Sequence, residues 1–214
     1  MQINMTTFAG RKIQYVQHTI DSLLDSEWVD THDKLNLIVG SPDQSHIEEW
    51  EGHPSINIVP WEGESNPNLR WNCTLNKIRA LRYGEDREML IVEDDVVFPQ
   101  RWLTDLREIL SDVDVKDYVL SLSVEERALM RGRFVKGKKW IKRYPLPSLQ
   151  GAQAIYYPNK DIRLRIADYL NNNLTKACGD ELIGRYALIN ATLYASEHSI
   201  VENIGSVSCF HEVV

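Results

Sequence analysis

Met89-Leu90-Ile91-Val92-Glu93-Asp94-Asp95-Val96-Val97-Phe98 decides the fold of this chain. An apolar, partly β-branched run enters three consecutive acids, and a second apolar run follows. A short continuous apolar run fits a strand buried on both faces. A buried strand ending in Glu-Asp-Asp delivers carboxylates to the carboxyl edge of a sheet, where open α/β folds bind ligands. Adjacent carboxylates repel one another, so a cation belongs beside them. Hard oxygen donors suit Mg²⁺ or Mn²⁺, ions that usually also hold a substrate phosphate. If the strand continued through the acids, Asp94 and Asp95 would face opposite sides and only one would reach a metal. Asp95, the last acid, is the expected ligand. The alternative is a strand end whose acids cap the next helix or meet arginines.

Strands and helices alternate on both sides of this run. Residues 3–8, 35–39 and 56–59 read as strands, and 88–92 as the strand that carries the acids. Residues 12–24 place Ile13, Val16, Ile20, Leu23 and Leu24 at helical spacing. Residues 45–50 suggest a short helix with Ser45 as N-cap and Glu48 completing a capping box. Residues 69–81 form a helix closed near Gly84, and Pro99 opens another that runs to 110. This rhythm predicts an α/β fold with a mostly parallel central sheet covered on both faces. The second half is less regular: strands at 118–124 and 150–157, helices at 161–170 and 180–189, and an irregular tail at 199–214. Residues 131–143 read as a hairpin or loop around Gly137. No repeat or linker divides the 214 residues, which suit a single domain with a sizeable core.

Bulk properties narrow the classes. With 43% hydrophobic and 26% charged residues the chain reads as an ordinary soluble protein. Its formal net charge of -7 argues mildly against enveloping nucleic-acid binding. Cys73, Cys178 and Cys209 are scattered, with no CxxC pair, which fits a reducing compartment rather than a disulfide framework or zinc site. No stretch approaches the roughly 20 apolar residues of a membrane span. Residues 1–8 lack a signal-peptide pattern. The expected location is the cytoplasm, of a host cell if the protein is viral.

The order of motifs resembles the GT-A fold glycosyltransferases. Thr6-Thr7 ends the first strand and Arg11 follows. Asn72, Asn76 and Arg79 lie on the helix that precedes the Glu-Asp-Asp strand. The family uses nucleotide-sugar donors and carries a "DxD"-type acidic motif, and the run here is most similar to that of the inverting N-acetylglucosaminyltransferases. The resemblance implies that Thr6, Thr7 and Arg11 contact the nucleotide. It implies that Asn72, Asn76 and Arg79 face the diphosphate, with Glu93 and Asp94 at the ribose or a cation. For Arg79 a solvated helix position is the plain alternative. Gly179-Asp180-Glu181 matches the family's glycine and two acids at a helix start, where a carboxylate takes the acceptor's proton. Glu181 occupies the base position and Asp180 is the second choice, with simple N-capping by Asp180 as the alternative. Many members bring a C-terminal His to the metal, which implies His211 beside Asp95; a surface His is the alternative. Gly151 and Gln153 stand where a small-residue strand lines the sugar and acceptor pocket.

The acceptor is less constrained. Arg133, Lys136, Lys138, Lys139 and Lys142 interleave with Phe134, Trp140 and Tyr144. Basic residues neutralise phosphates and aromatic rings stack on bases, as a nucleic-acid contact requires. A solvated edge hairpin, or a patch for another anion, has the same composition. The expectation is a metal-dependent, inverting hexosyl- or N-acetylhexosaminyl-transferase using Mn²⁺ or Mg²⁺ and a nucleoside diphosphate sugar, a UDP-sugar foremost. Its acceptor is DNA, through a hydroxylated base as in viral DNA glycosylation, or a glycan such as a polysaccharide or lipopolysaccharide. A nucleotidyltransferase and a non-enzymatic nucleic-acid- or carbohydrate-binding module stay open; the single glycine between Thr6 and Arg11 counts against the former.

Overall fold

The computed structural model describes residues 1–9, 13–63, 68–123, 132–134, 140–143 and 153–205, with the backbone alone at 13, 69–70, 132–134 and 141–143. The strands are β1 (Gln2–Thr7), β2 (Leu35–Val39), β3 (Ile56–Val59), β4 (Met89–Glu93), β5 (Val96–Val97), β6 (Tyr118–Ser121), β7 (Gly132–Phe134), β8 (Trp140–Arg143), β9 (Ala154–Tyr157), β10 (Thr192–Ser196) and β11 (Glu202–Asn203). The helices are α1 (Ile13–Leu24), α2 (Leu69–Arg82), α3 (Trp102–Leu110), α4 (Lys160–Asn173) and α5 (Gly179–Asn190). Nine strands form one sheet in the order β3-β2-β1-β4-β9-β6-β10-β8-β7. The first four are mutually parallel. Strand β9 runs against both β4 and β6, and β10 is parallel to β6. The expected α/β class, a mostly parallel sheet flanked by helices, is what the chain adopts.

Period two sorts β1, β2 and β4 onto two cores. Ile3, Met5, Leu35, Leu37, Leu90 and Val92 face one way and pack with Val16, Ile20 and Leu23 of α1 and Trp102, Leu106 and Ile109 of α3. Ile38, Met89 and Ile91 face the other way, against Ile78 and Leu81 of α2, Ile162 and Ile166 of α4, and Leu182 and Ile183 of α5. Every residue of β1 is buried, as a central strand covered on both faces requires.

The second face also carries a polar row. Asn4, Asn36 and Asn57 lie in register across β1, β2 and β3. Asn57 donates to Asn36 at 3.0 Å and Asn36 to Asn4 at 2.9 Å. Asn4 then donates to the Ala80 carbonyl of α2 at 2.7 Å. Arg163, fully buried on α4, donates to the carbonyls of Leu81 at 2.9 Å and Glu85 at 2.6 Å. The Ala80 and Leu81 carbonyls are among those that a helix end leaves open, and the guanidinium sits at the negative end of the α2 dipole. Helix α2 is thereby fixed on the sheet, which matters for the side chains it presents further along.

Four local expectations change. Residues 45–50 are a 3₁₀ helix whose N-cap is Gln44 rather than Ser45, and the Ser45 amide donates to the Asp43 carboxylate at 3.0 Å. Helix α5 begins after Cys178, so Asp180 stands inside the first turn rather than at the cap. Strand β4 stops at Glu93, and Asp94 and Asp95 form a turn, so strand alternation does not govern them. The tail contains a strand: β11 pairs antiparallel with β5, Asn203 opposite Val96. The basic segment is a hairpin, β7 with β8, as expected; Gly137 lies outside the described residues.

Candidate active site

The chain order β1, β2, β3 grows the sheet in one direction, and β4 then adds on the other side of β1. The carboxyl ends of β1 and β4 therefore flank the point where strand order reverses, the crevice that open α/β sheets use for ligands. Thr6 is in register with Glu93, so Thr7 and Asp94 meet just beyond. The buried Thr7 hydroxyl donates to Asp94 Oδ2 at 2.7 Å. His46 Nε2 lies 3.1 Å from the same hydroxyl.

The three acids leave the strand in different directions. Glu93 pairs with Lys77 of α2 at 2.9 Å, and its amide is held by the Gln153 carbonyl at 2.8 Å. Asp94 turns to β1. Asp95 meets the returning tail: its carbonyl accepts the Ile204 amide at 2.9 Å, and a Cβ built on Gly205 would stand 2.3 Å from its Oδ2. Only a glycine fits that approach. Two hydroxyls of α1 brace the exit from the turn, Thr19 accepting the Val96 amide and Ser22 the Phe98 amide, each at 3.1 Å.

Lys77 ties this turn to the start of α5. Its ammonium also pairs with Asp180, so one cation bridges Glu93 and Asp180. Gly179 makes room for it; a Cβ there would lie 3.1 Å from Lys77 Cδ. Burial works against the ammonium, but the charges of Asp180 and Glu93 prevail and raise its pKa. Glu181 is ion-paired with Arg185 one turn along its own helix.

The other expected site residues sit as follows. Thr6 donates to the Val92 carbonyl at 3.3 Å. Asn72 is buried on α2. Asn76 is fully buried and donates to the Ile38 carbonyl at 2.8 Å, with Thr7 O at 3.5 Å. Arg79 donates to the carbonyls of Val39 and Pro60 and lies 5.2 Å over the Trp61 ring. Asn76 and Arg79 thus fasten strand ends around the crevice, and Arg79 is not the solvated helix arginine its spacing also allowed. Gln153 stands beside Glu93 with its Oε1 buried and without a hydrogen-bond partner among the described residues. Trp140 is corrected: it is 5% exposed, 4.2 Å from the Tyr194 ring, and belongs to the core rather than to a base-stacking surface. Arg133 and Lys142 are placed by backbone in the hairpin. Arg11, Lys136, Lys138, Lys139, Gly151 and His211 lie outside the described residues. Sequence reasoning missed Lys77, whose signal was a lone lysine next to Asn76 on the buried side of α2. It also missed His46, which no local pattern marks.

A divalent cation fits this corner on the chemistry of its donors. Asp95 is 7% exposed, and the chain returns against its carboxylate. Among the described residues no three His, Cys, Asp or Glu side chains converge into a cage. Mg²⁺-type sites need none, because one or two carboxylates plus substrate phosphates suffice.

No protein-family model and no curated protein matches the sequence. Solved structures do. The chain aligns with GalNAc-T7, crystallised with UDP, GalNAc and Mn²⁺, at TM-score 0.65 and 9% identity over 97% of this chain and 44% of that one. It aligns with a mannosyltransferase from Pyrobaculum calidifontis in complex with GDP-Man and Mn²⁺ at TM-score 0.59 and 12% identity, over 93% and 55%. It aligns with residues 1–349 of S. aureus TarS at TM-score 0.57 and 14% identity, over 92% and 60%. The architecture is therefore the GT-A-type α/β fold of these transferases. The chain spans about half the length of each of them.

Proposed function

We propose that this chain is a metal-dependent glycosyltransferase that moves a sugar, with inversion, from a nucleoside diphosphate sugar, a UDP-sugar foremost, to an acceptor hydroxyl. The observation that carries the reading is the Lys77 bridge. It draws Asp180, at the start of α5, to within one ammonium of Glu93 in the acidic run. Two carboxylate groups far apart in sequence thus share the crevice at the switch point, one in a candidate donor motif and one in a candidate base motif. The likeness to transferases solved with nucleotides and Mn²⁺ supports it.

In this reading Glu181 or Asp180 accepts the acceptor hydroxyl's proton as that oxygen attacks the anomeric carbon and the bond to the diphosphate breaks. Asp95, with His211 from the tail, would hold Mn²⁺ or Mg²⁺, which supplies Lewis-acid neutralisation of the departing diphosphate. The acceptor we propose is a hydroxylated base in DNA, met by the basic hairpin; a polysaccharide or lipopolysaccharide is the alternative. Lys138→Glu with Lys139→Glu should abolish transfer to DNA while sparing donor hydrolysis.

The test is thermal stabilisation by UDP, GDP and their sugars with Mn²⁺, Mg²⁺ or EDTA. A ligand at 100 times its Kd adds about 2.7 kcal/mol. A metal-dependent shift, lost in Asp95→Asn, supports the reading and names the base. No shift with any of them sinks it.

A further inference from the structure

We infer that His46 is a positioning residue of this donor site, holding Asp94 through the Thr7 hydroxyl as the Nε2–H tautomer. The inference rests on the reading of the acidic run as the donor site.

A threonine hydroxyl has one proton to give, and an ionised carboxylate can only accept. The 2.7 Å contact from Thr7 Oγ1 to Asp94 Oδ2 therefore takes the hydroxyl proton. The 3.1 Å contact between Thr7 Oγ1 and His46 Nε2 must then be donated by the ring. In a neutral imidazole that fixes the proton on Nε2 and leaves Nδ1 a bare acceptor. Nδ1 is buried and no described residue offers it an acceptor that would hold a proton there. The opposite tautomer would turn a lone pair on Thr7 and compete with Asp94 for its only proton.

Packing holds the chain together. His46 is 4% exposed on the 3₁₀ helix that follows β2, and Thr7 is fully buried at the end of β1. Burial keeps the ring neutral, with Asp43 opposing weakly from the adjacent turn. Three like charges in a row favour a spread arrangement. The His46–Thr7 chain draws Asp94 toward β1, Lys77 draws Glu93 toward α2, and Asp95 meets the returning chain at Ile204. Loss of the chain removes the contact that turns Asp94 toward β1.

Long-range ¹H–¹⁵N NMR of the free protein reads the tautomer without any ligand. The expected pattern is a protonated Nε2 and an unprotonated Nδ1 for His46; an Nδ1–H tautomer, or fast exchange between the two, overturns the inference. Binding of UDP and of GDP with Mn²⁺, followed by calorimetry, tests the positioning. Thr7→Ser and His46→Gln each keep a donor in place and should bind within about threefold of wild type. Thr7→Val and His46→Leu should bind about tenfold more weakly. Equal binding by all four variants overturns the positioning role alone. A wild-type protein that binds neither nucleotide overturns the donor-site reading, and the positioning role with it.

Discussion

Replacing Lys77 by methionine isolates the bridge on which the functional reading stands. Methionine keeps most of the volume and the apolar stem but removes the charge. At 2.9 Å and an effective dielectric near 20, the Lys77–Glu93 attraction is about 6 kcal/mol gross. Most of that is cancelled by stripping water from an ammonium whose side chain is 11% exposed. Removing one partner of a buried pair costs about 3–5 kcal/mol. Glu93 and Asp180 keep side-chain exposures of 20% and 40%, so water recovers part of their solvation. The expected loss is therefore about 2 kcal/mol, or roughly 4–8 °C in melting temperature for a chain of this size. Urea denaturation gives the value directly. The pH dependence adds a check of sign. A lysine whose folded pKa is raised contributes stability fully below its unfolded value of 10.5 and loses it as pH rises through the folded value. The gap between wild type and Lys77→Met should be level from pH 7 to 9 and narrow only above about 10.5. A loss under about 0.5 kcal/mol, the range of ordinary surface substitutions, would refute the bridge as described.

Three further outcomes follow from neighbouring contacts. Arg163→Met should cost about 3 kcal/mol in denaturant unfolding, because two charge-assisted hydrogen bonds, to the Leu81 carbonyl in the last turn of α2 and to the Glu85 carbonyl beyond it, are lost; a loss under about 1 kcal/mol would mean that water reaches them. Gly205→Ala should cost about 1–3 kcal/mol, since its Cβ would stand 2.3 Å from Asp95 Oδ2 and must push the carboxylate or the tail aside; unchanged stability together with unchanged Mn²⁺ affinity would show that the tail yields freely. His46 has its pKa lowered by burial, so the unfolded chain binds more protons below 6.5. Its contribution should be full above pH 6.5 and fall as pH drops toward the folded value, and His46→Gln should flatten that part of the stability–pH curve.

Much of the fold was legible because it rests on local period. The short apolar run at 89–92 fitted a doubly buried strand, and β2 and β3 fall at the expected 35–39 and 56–59. The spacing of Val16, Ile20 and Leu23 determined α1 and its buried face. Glu93, Asp94 and Asp95 were placed at the carboxyl edge of a parallel sheet for the same reason, since a strand's direction and its last residues are written in the chain. Where each acid points was not. Strand alternation was the wrong rule once β4 stopped at Glu93, because a turn obeys its partners rather than a period. Those partners come from far away in sequence: Lys77 across the α2–sheet packing, Thr7 and His46 across the β1–β4 register, and Gly205 through the pairing of β11 with β5. Trp140 shows the same division, since its place among basic residues suggested an exposed ring and only the packing of β8 on β10 put it against Tyr194. Hydrophobic period is a property of neighbours in the chain, so the sequence determined the elements by itself. Charge pairing and hydrogen-bond direction are properties of neighbours in space, so only the tertiary structure decided what the three acids do.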